Sequence, residues 1–248
     1  MAVDTTLNAR LTSDITEVWD PFGTVRNALW IGGGQWAGKS TVARLIAWRY
    51  GITAYHYDYH DARGHEARRV ARRAVTGEQE ATPDAVWVDT PPAEMAVAAL
   101  SGFRERFEWA LDDLRGLVSG HPILAEGWGL RRDLVSRVTP DRGRMMVMVP
   151  SDEWRRHQFE TLGRASTIGH AVSDLKRAVR NRMDRDRLVA EDAVASARRL
   201  GIRVIEVDGT LDQVDVAALV ADGFSSYLPA PRGGWARLGN PDSSWPGA

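Results

Sequence analysis

The run Gly33-Gly34-Gln35-Trp36-Ala37-Gly38-Lys39-Ser40, followed by Thr41, is the part of the chain whose residue types and spacing most directly imply chemistry. It fits the pattern G-x-x-x-x-G-K-[ST]. Glycines let the backbone curl until successive N–H groups face an anion, and the start of a following helix adds its partial positive charge. Lys39 suits the β- and γ-phosphates of a nucleotide as a mobile point charge, and the Ser40 hydroxyl suits Mg2+. The lysine itself is informative. Among 32 basic residues only Lys39 and Lys176 are lysine; the rest are arginine. A glycine-rich turn without a ligand is the competing reading. The coincidence of strand, loop, lysine and hydroxyl favours a phosphate loop.

Two acids stand where apolar runs end. Asp58 follows Ile52 to Tyr57, and Glu126 follows Pro122 to Ala125, within Leu124-Ala125-Glu126-Gly127-Trp128-Gly129. In an open α/β sheet, ligands sit beyond the carboxyl ends of the strands. Asp61 is the local rival of Asp58. Val86 to Asp89 and Val204 to Asp208 imitate the same pattern. The first, ahead of Pro91-Pro92, reads as a short extended piece between helices, and the second as the last strand; neither is expected to hold a metal. Trp36 and Trp128 fall in loops at the same edge, where an indole either stacks on a flat or apolar ligand or packs under a neighbouring loop. His60, Arg63, His65, Arg68, Arg69 and Arg72 make a basic patch. It either grips an anionic group or is a solvated helix face, the commoner explanation of such a run. The six histidines show no H-x-x-x-H pair; Tyr55 to His60 is the one local cluster.

The elements that must position these residues alternate between buried strands and amphipathic helices. Strands are predicted at Asn27 to Gly32, Ile52 to Tyr57, Pro122 to Ala125, Arg144 to Val149 and Arg203 to Val207. Helices are predicted at Lys39 to Tyr50, His65 to Val75, Ala93 to Val118, Leu130 to Val138, Asp152 to Leu162, Val172 to Leu200 and Leu211 to Tyr227. Strands separated by helices imply βαβ units and a parallel sheet covered on both faces. Residues 1–24 read as an N-terminal extension, 25–228 as one catalytic-size domain, and 229–248 as an irregular Pro- and Gly-rich tail that Trp235 and Trp245 could dock.

Composition removes other classes. The 248 residues are 44% hydrophobic and 26% charged, as in a soluble globular protein. The absence of cysteine excludes disulfide scaffolds, thiolate metal sites and thiol nucleophiles. A net charge of -1 and the lack of a basic stripe interleaved with aromatics argue against nucleic acid as a partner. Apolar runs are far shorter than the roughly 18 residues that span a bilayer. The N-terminus has acids and no apolar signal core, so the cytoplasm is the expected compartment.

From Val25 to about Tyr227 the chain resembles the P-loop kinases of the nucleoside monophosphate kinase-like group. That group includes shikimate, gluconate and adenylylsulfate kinases and related antibiotic phosphotransferases. The resemblance rests on the phosphate loop, the acid ending strand two, Glu-Gly ending strand three, and arginines after strand four. It implies an α/β three-layer fold with a five-stranded parallel sheet of order 2-3-1-4-5. It also implies transfer of the γ-phosphoryl group of ATP, with Mg2+, to a hydroxyl of a small metabolite or antibiotic. In such a kinase Asp58 would accept the hydroxyl proton, or else serve as a structural acid or metal-water ligand. Glu126 would hold a metal-bound water or a substrate hydroxyl. Arginines in a lid at about 155–187 would neutralise the transferred charge, with Arg182, Arg185 and Arg164 the leading candidates. Thr210 would contact the nucleotide, and His60, Arg63, Trp128 and Arg164 the acceptor. A nucleoside or nucleotide kinase is the alternative. A nucleotide-binding ATPase switch without an acceptor is the alternative of another class. The chain is expected to act as a monomer or homodimer.

Overall fold

The structure, a computed structural model, describes residues 19–163, 168 and 171–235. Arg164, Trp245 and residues 1–18 lie outside the described residues. Five strands form the sheet: β1 (Leu29–Gly33), β2 (Ala54–His56), β3 (Leu124–Glu126), β4 (Met145–Pro150) and β5 (Arg203–Val207). All pairings are parallel and the order is β2-β3-β1-β4-β5. The principal helices are α1 (Lys39–Tyr50), α2 (Glu66–Thr76), α3 (Pro92–Arg115), α4 (Asp152–Thr161), α5 (Leu175–Arg199) and α6 (Gln213–Gly223).

Period-two alternation in the strands divides the core into two layers. Leu29, Ile31, Leu124, Met146, Met148 and Ile205 face α1 and α6, where they meet Leu45, Ile46, Val216, Val220 and Phe224. Trp30, Ala125, Val147 and Val149 face the other way, onto Phe103, Phe107, Leu111 and Leu114 of α3 and Val189 and Ala193 of α5. Helices on both faces of a parallel sheet in this order, with the Gly33–Ser40 loop between β1 and α1, make a three-layer α/β/α architecture.

Several elements differ from their expected extents. Strand β2 stops at His56, and Tyr57–Tyr59 already turns helically, so Asp58 sits on the first turn beyond the strand. A wide i-to-i+5 turn, His60–Gly64, follows and leads into α2. Ala85–Asp89 is also a wide helical turn rather than an extended piece. Its carbonyls find side-chain partners: Asn181 Nδ2 donates to those of Trp87 and Val88, and Thr90 Oγ1 to that of Ala85. Such bonds let the backbone leave the strand ladder without stranding polar groups. The helix expected over Leu130 to Val138 is reduced to Arg132–Val135. Beyond α6, Arg232 N donates to the Arg49 carbonyl, and Arg49 stacks over Trp235, so residues near 232–235 lie against the end of α1. No described helix is long and apolar enough to cross a membrane.

Candidate active site

The Gly33–Ser40 loop joins the carboxyl end of β1 to the amino end of α1, and its backbone is specialised at three points. Gly33 has φ 121° and Gly38 φ 72°; a Cβ on Gly33 would lie 2.0 Å from the Met148 carbonyl oxygen. Trp36 has φ 68°, a left-handed conformation that costs a bulky residue of order 1–3 kcal/mol. Its indole is anchored from the far helix: Nε1 donates to Asp186 Oδ2 at 3.0 Å, and the Arg182 guanidinium lies 5.1 Å from its ring centroid. Ala37 is buried under the loop. Lys39 is 5% exposed, and its ammonium donates to the Gly34 carbonyl at 2.6 Å, curling back over its own loop. Gln35 and Thr41 flank this cradle, both partly exposed.

Ser40 opens α1 and donates through Oγ to Glu126 Oε1 at 2.9 Å. Parallel register explains why the two meet. His56 pairs with Glu126 across β2 and β3, and Ile31 with Glu126 across β1 and β3. Register partners point to the same side, here the side that α1 covers. His56 Nδ1 lies 2.8 Å from Glu126 Oε1, and that hydrogen bond, against the opposing effect of burial, raises the imidazole above its ordinary range. Glu126 is fully buried, and its Oε2 has no hydrogen-bond partner. A serine hydroxyl beside a carboxylate with an open oxygen is an all-oxygen donor set, which fits Mg2+.

Asp58 comes from the turn after β2 and meets the loop after β3. The Trp128 N–H donates to Asp58 Oδ1 at 3.1 Å. Gly127, at φ 154°, makes this possible: a Cβ there would lie 2.8 Å from Asp58 Oδ1 and 2.6 Å from Tyr57 Cβ. Burial pushes the Asp58 carboxyl up to about 6, with Lys39 opposing and Glu126 reinforcing the rise. Asp61 turns away, into an ion pair with Arg106 at 2.6 Å.

Helix α5 brings the arginines. Arg185 lies between two indoles, 5.1 Å from Trp87 and 5.0 Å from Trp128, and donates through Nε and Nη2 to Asp186 Oδ1 at 2.9 and 2.6 Å. Trp128 in turn packs edge-on against Phe103. Arg155 is buried and paired with Asp152, and Arg187 pairs with Glu191. Thr210 follows β5, and both its amide and hydroxyl donate to Asp208 Oδ1.

The basic patch is largely neutralised along α3. Arg68 pairs with Asp112 and Arg72 with Glu105, while Arg69 is held by Glu66 and the backbone of Asp61 and Ala62. Arg63 is exposed. His60 stacks on Tyr55 and approaches Asp113. His56, Trp87 and Asp186 were not expected at the site. His56 could have been found as the last residue of β2, two before Asp58 in the chain. Trp87 and Asp186 depend on a tertiary approach that carries no local signal.

No family model matches the chain, and no curated protein matches it. Among solved structures it is similar to a gluconokinase from Sinorhizobium meliloti 1021, at 15% identity and TM-score 0.40, covering 81% of this chain and 93% of that one. It is also similar to a sugar kinase from Janibacter sp. HTCC2649, at 12% identity and TM-score 0.38, covering 79% and 92%. Both likenesses are weak, and the functional reading stands on the geometry of the site.

Proposed function

We propose that the chain is an ATP- and Mg2+-dependent phosphotransferase acting on a hydroxyl of a small molecule. The observation that carries this is the gathering of Lys39, Ser40, Glu126 and Asp58 at the carboxyl ends of β1, β2 and β3, with Asp58 held by the Trp128 amide. In this reading the amides of Gly33 to Ser40, with Thr41, cradle the phosphates, and Lys39 leaves the Gly34 carbonyl for the β- and γ-oxygens. Ser40 would hold the metal directly and Glu126 through water, with His56 fixing the carboxylate. Bound Mg2+ would supply charge neutralisation on the transferred group. Arg182 and Arg185 fit the same task from α5, and Thr210 fits the far end of the nucleotide.

Asp58 is suited to general-base work because burial raises its pKa to about 6, nearer neutrality, where a carboxylate is a better proton acceptor. The acceptor would lie between Asp58 and the Trp87–Arg185–Trp128 stack, with Arg63 and Glu126 as further contacts. The experiment is Asp58→Asn. It should retain ATP affinity and lose acceptor phosphorylation by about 10²–10⁴-fold. Undiminished turnover in a folded variant removes Asp58 from this role.

A further inference from the structure

We propose that His60, His65 and Asp113 form a binding site for a divalent transition-metal ion of the zinc class, which clamps the segment carrying Asp58 onto α3. The three ligand atoms lie within 4.8 Å of one another. His65 Nε2 is 2.8 Å and His60 Nδ1 3.3 Å from the same atom, Asp113 Oδ2. Tyr55 Oη donates to that oxygen too, at 2.7 Å.

Three groups thus converge on one carboxylate oxygen, which has about two lone-pair directions to offer. A cation between the imidazoles and the carboxylate resolves the crowding. Each nitrogen then gives its lone pair to the metal, and Tyr55 keeps its hydrogen bond to Asp113 as an outer partner, the usual way a ligating carboxylate is oriented. Zinc bonds of about 2.0–2.1 Å in a tetrahedron place ligand atoms roughly 3.3 Å apart. The 3.3 Å separation already meets this, and the 2.8 Å one needs a small opening.

The backbone is arranged for the same end. In an α-helix residues five apart point to different faces. The wide turn closed by the His65 amide on the His60 carbonyl, at 2.8 Å, brings the two rings to 6.2 Å. Wide turns of this kind are rare and concentrate at functional sites. His65 is 2% exposed, and its Nδ1 is buried without a hydrogen-bond partner, so its ring is held polar-side only through Nε2. Tyr55 stacks on His60 at 4.4 Å and Trp109 stands edge-on to His65, fixing both ring planes. His60 is partly exposed, which leaves a way in and a position for water. Two nitrogens and one oxygen suit zinc better than Mg2+.

The test is calorimetric titration of ZnCl2 into the full chain, stripped with chelator and kept in excess Mg2+ so that the oxygen-lined Ser40–Glu126 site is not read. One zinc per chain is expected. His60→Gln and Asp113→Asn should each weaken binding by about tenfold or more, with an unchanged circular-dichroism spectrum. Absence of zinc binding by the wild type overturns the proposal, and so does equal affinity in the wild type and the folded variants. If Asp113→Asn does not fold, His60→Gln decides alone. None of these readouts depends on phosphotransfer activity.

Discussion

Burial of the Asp58 carboxyl costs the fold stability at neutral pH. Its carboxyl is raised from 3.8 to about 6, chiefly by burial. A folded-state value above the unfolded one means that the native state binds the proton more tightly. The stabilisation this gives is present in acid and is lost as pH rises from about 4 to about 6. Asp58→Asn, which keeps an acceptor for the Trp128 amide, should therefore be more stable than the wild type at neutral pH by up to about 3 kcal/mol. The gap should close near pH 4, as read by chemical denaturation at the two pH values. A gap that is constant with pH would contradict the raised carboxyl. The same titration predicts a phosphotransfer rate that falls below about pH 6, because a protonated Asp58 cannot accept the hydroxyl proton. At this scale the sequence was legible where chemistry is local. Lys39 and Ser40 are neighbours in the chain, so the loop pattern contains them both. The His60–His65–Asp113 cluster was invisible because its spacing is wrong for an α-helix and its third member lies on another element.

Helix α5 is the element that links the two halves of the site. Asp186 holds both the Trp36 indole and the Arg185 guanidinium, so one carboxylate sets the phosphate loop and the arginine together. Asp186→Ala should lower kcat by about 10²-fold through misplacement of both groups, with a smaller effect on ATP affinity. Steady-state kinetics beside nucleotide titration separate the two. Asn181, one turn earlier, ties α5 to the Ala85–Asp89 turn through two carbonyls. Asn181→Ala should speed amide exchange across residues 85–90 and cost about 1–2 kcal/mol of stability; unchanged exchange there would show that the turn holds itself. The helices α1 and α5 were legible because each shows a sustained helical pattern closed by a glycine, Gly51 in one case and Gly201 in the other; the sequence pattern starts α5 at Val172, whereas Asp174 caps it. The 85–89 turn was not, because an apolar run of four reads alike as strand or wide turn until its carbonyl partners are known.

The whole molecule is a parallel sheet that gathers the ends of three strands from distant parts of the chain. The order β2-β3-β1-β4-β5 places the acid of β3 next to the phosphate loop and that of β2 one strand further out. Alternation along each strand sends Glu126 and His56 to the α1 side. The arginines of α2 and α5 are used differently. Along α2 they form ion pairs with α3, and along α5 Arg182 and Arg185 lie over indoles at the catalytic edge. The lysine does not share either use. Lys39 alone sits inside the cradle, where a compact ammonium on a flexible stem fits and a planar guanidinium would not. The proposed reaction passes a phosphoryl group from this cradle to an acceptor held by Asp58. It is tested most directly by ADP release from ATP and Mg2+, screened against pools of hydroxyl-bearing metabolites and antibiotics. Release should appear only with a particular acceptor and be abolished in Lys39→Ala. Release that is independent of any acceptor, or that persists in Lys39→Ala, would contradict it.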